Sequence, residues 1–109
     1  MYIKLKEKKI DIYYYNTFFK KLIGLMFKKQ ITFGIYFKTK GIHTFFMKKA
    51  IDLCVVDKSN KIIYLEESLT KNKLRYFKNA KYIYELPLGS VKFLEVGKKI
   101  NVISDDTKH

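Results

Sequence analysis

The residue types able to do chemistry gather in one stretch of this chain. Between Gly41 and Glu67 lie His43, one of two histidines, the single cysteine Cys54, and the carboxylates Asp52 and Asp57 beside apolar runs. A histidine, a thiol and a carboxylate are the parts of a thiol hydrolase: base, nucleophile and orienting acid. Their spacing argues against that use. Asp52 and Cys54 stand two apart in an apolar run and share one strand face, and no oxyanion-stabilising element is recognisable. Asp52 and Asp57 fall on opposite strand faces, which separates the two carboxylates that acid–base catalysis would need together. With one cysteine, two histidines and neither a CxxC nor an HExxH, no metal site is expected. The five glycines are dispersed and form no phosphate-binding loop, so no cofactor is expected either.

Two residues of this stretch read most simply as structural. Cys54 sits in the run LCVV, the setting of a buried and inert thiol. Asp52 opens the same run, where an unpartnered charge would be very costly. It is expected to accept hydrogen bonds from backbone N–H groups, or to pair with Lys48, Lys49 or His43, fixing the entrance to the strand; a ligand-facing carboxylate is the alternative. Phe45, Phe46 and Tyr36 among Lys38, Lys40, Lys48 and Lys49 supply the materials of a nucleic-acid stacking platform, though the same residues describe a core beside a solvated face.

The elements that must position these residues are mainly strands. Alternation over 2–15 predicts two strands or one interrupted strand, with Lys8 and Lys9 at the turn. Thr17 is placed to cap a short helix in which Phe18, Leu22, Leu25 and Met26 recur at helical spacing, ending near Phe27. Ile31, Phe33, Ile35 and Phe37 mark a strand, and Thr39–Gly41 a turn. Over 43–48 aromatic residues fall on both faces, which suits a binding rim. Ile51–Val56 reads as a central strand, 57–60 as a turn and Lys61–Glu66 as the returning strand of a hairpin, with Glu66 and Glu67 as solvated edge charges. The lysine-rich segment 69–79 reads as a loop, 82–86 as a strand, 90–94 as a short helix capped by Ser90, and 99–103 as a last strand.

The fold expected is a mostly β, small compact barrel or sandwich of antiparallel and mixed strands with one or two short helices. It is a single β-rich domain over 1–104 with a frayed polar tail at 105–109. The 109 residues suffice for one core without disulfide or metal staples. No run is long and apolar enough for a membrane helix, and the charges at Lys4, Lys6, Glu7, Lys8 and Lys9 break up any export signal, so a cytoplasmic location is expected. The net charge of +13 draws the chain toward anionic partners. Against a nucleic-acid role stand the single arginine, Arg75, and lysines scattered along the whole sequence.

Several separated motifs resemble the domain of unknown function 192 family of small bacterial and archaeal proteins. A TxxxxxxGLM segment corresponds to Thr17–Met26, an HTFFM…ID segment to His43–Met47 with Ile51 and Asp52, and a YxLELxxG signature to Tyr82, Tyr84-Glu85-Leu86 and Gly89. The resemblance spans about residues 10–103. It implies a compact mostly β barrel or sandwich with short helices and, because the family's biochemical function is not established, carries no catalytic assignment. The chain departs from the pattern at Ile23, where a basic residue is common before GLM, and at Lys49-Ala50, where Phe-Pro or a similar turn is common. Lys49 is placed to replace the basic group lost at Ile23.

Together these readings favour a non-enzymatic binding or accessory module, a monomer or weak dimer, for a protein, a peptide or a small anion. Its candidate surface is formed by Gly24, Met26, His43, Phe46, Met47, Lys48 and Asp52. A basic nucleic-acid or anionic-surface binder is the alternative, and a hydrolase of unfamiliar type the less favoured third.

Overall fold

A computed structural model describes residues 1–6, 8–14, 33–45 and 49–104. The expected helix near Thr17–Phe27 lies outside the described residues, as do Gly24, Met26, Phe46, Met47 and Lys48.

The protein is mostly β. Among the described residues nine strands run in the order β1 Tyr2–Leu5, β2 Lys8–Tyr14, β3 Gly34–Phe37, β4 Gly41–His43, β5 Ile51–Val56, β6 Ile62–Leu69, β7 Leu74–Tyr76, β8 Tyr82–Leu86 and β9 Val102–Ile103. Seven form one sheet in the spatial order β6-β5-β8-β3-β2-β1-β9, curled into a half-barrel, while β4 and β7 make a separate two-stranded ribbon. All described pairings are antiparallel except β2 with β3.

The run IDLCVV explains the centre. Every residue of β5 is buried, the signature of a strand covered on both faces. Its alternating side chains feed two clusters. Cys54 and Val56 join Ile3, Leu5, Ile10, Ile12, Ile62, Tyr84, Leu86 and Ile100 inside the half-barrel. Ile51, Leu53 and Val55 join Leu69, Ala80 and Ile83 on the other side, with Ile42, Ile63, Tyr64 and Phe77 packed against them. Each fully buried Ile, Leu or Val contributes about 1.5–3 kcal/mol relative to leaving it exposed, so the strand that serves both clusters anchors the fold. Gly34 matters for the same packing: a Cβ there would stand 2.7 Å from Leu86 Cδ2 and 3.2 Å from both Glu85 O and Ile12 Cγ2, so only glycine lets β3 lie between β2 and β8.

The half-barrel's two margins meet through the C-terminal segment. Beside β6, Ile62 N–H donates to Lys98 O at 2.8 Å, Gly97 N–H to Ile62 O at 2.8 Å and Ile100 N–H to Asn60 O at 3.1 Å, and Lys61 bridges Lys99. The chain then continues as β9 onto β1.

Several expectations are corrected. The β1–β2 turn is at Lys6, with φ of 56°, and Lys8 and Lys9 already belong to β2. The segment 69–79 is not all loop: it contains β7, paired with β4. Ser90 does not cap an α-helix; its hydroxyl donates to Pro87 O at 2.6 Å and a 3-10 turn, Val91–Phe93, follows. Only Val102–Ile103 of the expected last strand is extended and laddered, with Lys99 held by its isolated bridge.

Candidate functional site

Asp52 is the residue from which the site is built. It is buried at the start of β5, opposite Leu86. Its Oδ1 accepts from Ser68 N–H at 3.0 Å, and its Oδ2 accepts from Gly89 N–H at 2.9 Å and Val91 N–H at 3.1 Å. The first bond stabilises an irregularity in β6: between Ile51/Leu69 and Leu53/Glu66 the register slips by one residue, and Ser68 takes a φ of 53°. The other two fix the turn after Pro87, where Gly89 has a φ of +91°, a conformation natural to glycine. The carboxylate is thus spent on three backbone donors, as a strand-entrance residue should be.

The loop that Asp52 holds forms one wall of a groove of about 500 Å³. The opposite wall comes from β1 and β2, and Lys49 and Ala50 close it at the foot of β5. Its surface is amphiphilic: Leu5, Ile10, Leu88 and Phe93 are apolar, and Lys8, Lys9, Lys49 and Lys92 are cationic. Among the described residues no acidic side chain lines it. Such a groove suits a ligand with an apolar body and a negative group.

His43 stands elsewhere, on the exposed side of the β4–β7 ribbon, stacked on Phe45 with ring centroids 4.8 Å apart. It pairs with Leu74, and Gly41 pairs with Tyr76, so exposed apolar residues continue across both strands. The adjoining Thr44 is buried: its hydroxyl donates to Thr70 O at 2.6 Å and accepts from Lys73 N–H at 3.0 Å. Of the seven residues expected to form the candidate surface, only His43 and Asp52 are described: His43 is exposed, while Asp52 supports a groove from beneath.

The titratable groups sort by environment. Burial pushes the Cys54 thiol up to about 12, so it carries no thiolate with which to attack a substrate at neutral pH. Burial raises the Glu85 carboxyl to about 7. The Arg75 guanidinium, donating from Nε to Glu66 Oε1 at 2.9 Å and from Nη2 to Oε2 at 2.8 Å, holds Glu66 below its usual range, and the Tyr64 hydroxyl donates to the same carboxylate at 2.9 Å. Glu66 is therefore a half-buried ion-pair partner, not the solvated edge charge expected of it. Among the described residues no group of three His, Cys, Asp or Glu side chains is placed to hold a metal ion.

The groove was missed in sequence because its walls come from four separate segments. Gly89 within the YxLELxxG-like signature was the one visible pointer to the loop. A second concavity lies at the other end of β5, lined by Lys38, Lys40, Lys58, Lys78 and Lys81; in the sequence these five lysines fall in three separate segments.

Residues 1–102 match the family model DUF192, described as an uncharacterised ACR. A UPF0127 protein of Thermococcus sibiricus is 32% identical, the match covering 79% of this chain and 62% of the relative. One of Pyrococcus furiosus is 30% identical, covering 89% of this chain and 90% of the relative. One of Thermococcus kodakarensis is 33% identical, covering 74% and 56%. The chain thus spans less than two thirds of both Thermococcus relatives and nearly all of the Pyrococcus one. No solved structure matches it.

Proposed function

The chain belongs to the uncharacterised DUF192 (UPF0127) family, and on that premise we propose that it is a small binding module that takes an amphiphilic anion, a carboxylate or phosphate on an apolar body, in the groove beside the Pro87–Phe93 loop. One observation carries this reading: four lysines rim a groove whose floor includes Leu5 and Ile10, and no described acid lines it. A volume of about 500 Å³ lies within the usual range of roughly 300–1,000 Å³ for small-molecule sites. Asp52 is a positioning residue in this scheme, setting the wall through Gly89 and Val91. We propose Gly24, Met26, His43, Phe46, Met47 and Lys48 as a second contact surface, whose described part, the exposed His43–Phe45 stack, stands apart from this groove. Binding without turnover is favoured by the chemistry at hand: the thiol is buried and the central carboxylate is committed to backbone donors.

The test is titration of the protein with octanoate, octyl glucoside and inorganic phosphate, followed by amide chemical shifts. Octanoate is expected to move the amides of Leu5, Ile10, Ala50 and Leu88–Phe93 more than either single-feature probe. The double substitution Lys49→Glu/Lys92→Glu should weaken octanoate binding by about tenfold or more, or about 1.4 kcal/mol. Equal binding of the uncharged glucoside, or shifts that avoid the groove, would overturn the assignment.

A further inference from the structure

The second concavity, at the far end of β5 and β8, is a separate site. We infer that it binds a run of linked phosphates. Three loops build it: Lys38–Lys40 between β3 and β4, 57–59 between β5 and β6, and 78–81 before β8. They are tied together by backbone. Phe77 N–H donates to Lys40 O at 2.7 Å, Ala80 N–H to Phe77 O at 3.1 Å, and Lys81 N–H to Val56 O at 2.8 Å. Thr39 Oγ1 closes its own turn, donating to Gly41 O at 3.1 Å and accepting from Gly41 N–H at 3.3 Å. The concavity of about 720 Å³ is therefore an open cleft whose loops are fixed by backbone bonds.

Its charge is one-sided. Among the described residues five lysines line it and Asp57 is the only acid. Asp57 Oδ1 already accepts from Ser59 N–H at 2.9 Å and Lys61 N–H at 3.0 Å, and these bonds hold its carboxyl below the usual range. The one ion pair formed among the described residues, Arg75 with Glu66, involves none of the five lysines. Lys81 lies over the Tyr82 ring, 5.5 Å from its centroid. Like charges around one cleft repel, and a dense anion entering it relieves the repulsion.

The lining also specifies the anion. Lysine is a point charge without the planar fork that reads a base edge, and among the described residues no aromatic ring lines the cleft to stack one, so charge leads what the site recognises. An extended acidic peptide presents same-face carboxylates only every ~7 Å. A nucleic-acid strand carries a charge every ~3.4 Å. Linked phosphates, whether of a polyphosphate chain or a single-stranded nucleic acid, are the chemistry that meets a cleft lined by five lysines most closely.

The experiment titrates the protein with tripolyphosphate and with an eight-nucleotide oligothymidylate, using calorimetry and amide shifts. Shifts are expected at 38–41, 57–61 and 78–81. Affinity for the oligonucleotide should fall roughly 50-fold between 50 and 200 mM NaCl if four phosphates are neutralised. Lys40→Glu/Lys78→Glu should weaken both probes at least tenfold, whereas the charge-matched Lys4→Glu/Lys71→Glu should change them less than twofold. Tighter binding of the oligonucleotide identifies a nucleic-acid strand as the source of the phosphates; tighter binding of tripolyphosphate identifies a free chain. The inference is overturned by absence of binding at 50 mM NaCl, by shifts confined to the Pro87–Phe93 groove, or by equal losses in the two double variants. Octanoate binding should survive Lys40→Glu/Lys78→Glu, so the two sites succeed or fail separately.

Discussion

Two buried carboxyls on neighbouring strands show how environment decides a residue's part. Asp52 and Glu85 belong to β5 and β8, yet Asp52 meets three backbone N–H donors whereas Glu85 is governed by burial. Glu85 points from β8 to the same side as Ile35 and Leu53, its partners across the two ladders, and is only 5% exposed. Burial lifts its carboxyl from 4.5 to about 7. A folded-state pKa above the unfolded one means that the native chain holds the proton longer. The stability associated with the neutral acid is therefore fully present below 4.5 and is lost as pH rises through 7. Between pH 5 and 8 this loss should be on the order of 2 kcal/mol. Urea unfolding at both values is expected to show wild type weakening relative to Glu85→Gln by that amount. Parallel pH profiles for the two proteins would contradict the assignment. Asp57 and Glu66, whose carboxyls are lowered, lose their contributions only at more acidic pH and leave this window clear.

The sheet elements divide into those the residue pattern announces and those it hides. Ile51–Val56, the turn beginning at Asp57 and the return strand were readable because an uninterrupted apolar run and a polar turn have few other solutions. β7 was not readable: Leu74 and Tyr76 are 66% and 72% exposed and lysines surround them, so no buried face advertises a strand. What makes Leu74–Tyr76 a strand is tertiary. β4 supplies the ladder, with Thr44 N–H donating to Lys73 O at 3.0 Å and Phe77 N–H to Lys40 O at 2.7 Å, while Arg75 clamps Glu66 on β6. The ion-pair side chains are 29% and 22% exposed, so the pair should add no more than about 1 kcal/mol to global stability. Its effect is local. Arg75→Ala is expected to speed amide exchange at Thr44 and Phe77 severalfold while leaving the β5 amides at their global rate. A uniform acceleration across β5 would show instead that the ribbon unfolds only with the core.

On the scale of the molecule, closure and charge both escape a linear reading. The scatter of lysines argued against a cationic face, yet residues 38, 40, 58, 78 and 81 converge because three loops meet where β5 ends. Separation along a chain is no guide to separation in the fold. The joining of the half-barrel's margins is similarly hidden, since the seam is mostly backbone: Lys98 O accepts from Ile62 N–H and Ile62 O from Gly97 N–H, without regard to side-chain type. Leu94 and Val102 pack against the half-barrel cluster, and Ile100 marks the seam as a core contact, buried in that cluster with Ile3, Leu5 and Ile62. These three contacts belong to opposite margins, β1 on one side and β6 on the other. Removing most of the Ile100 side chain should therefore loosen both. Ile100→Ala is expected to cost about 2–4 kcal/mol in denaturant unfolding, the usual range for emptying such a buried site. Native-state exchange should lower protection in β1 and β6 together. If β1 alone lost protection, the C-terminal segment would be an appendage of that strand; a matched loss at both margins is what a seam requires.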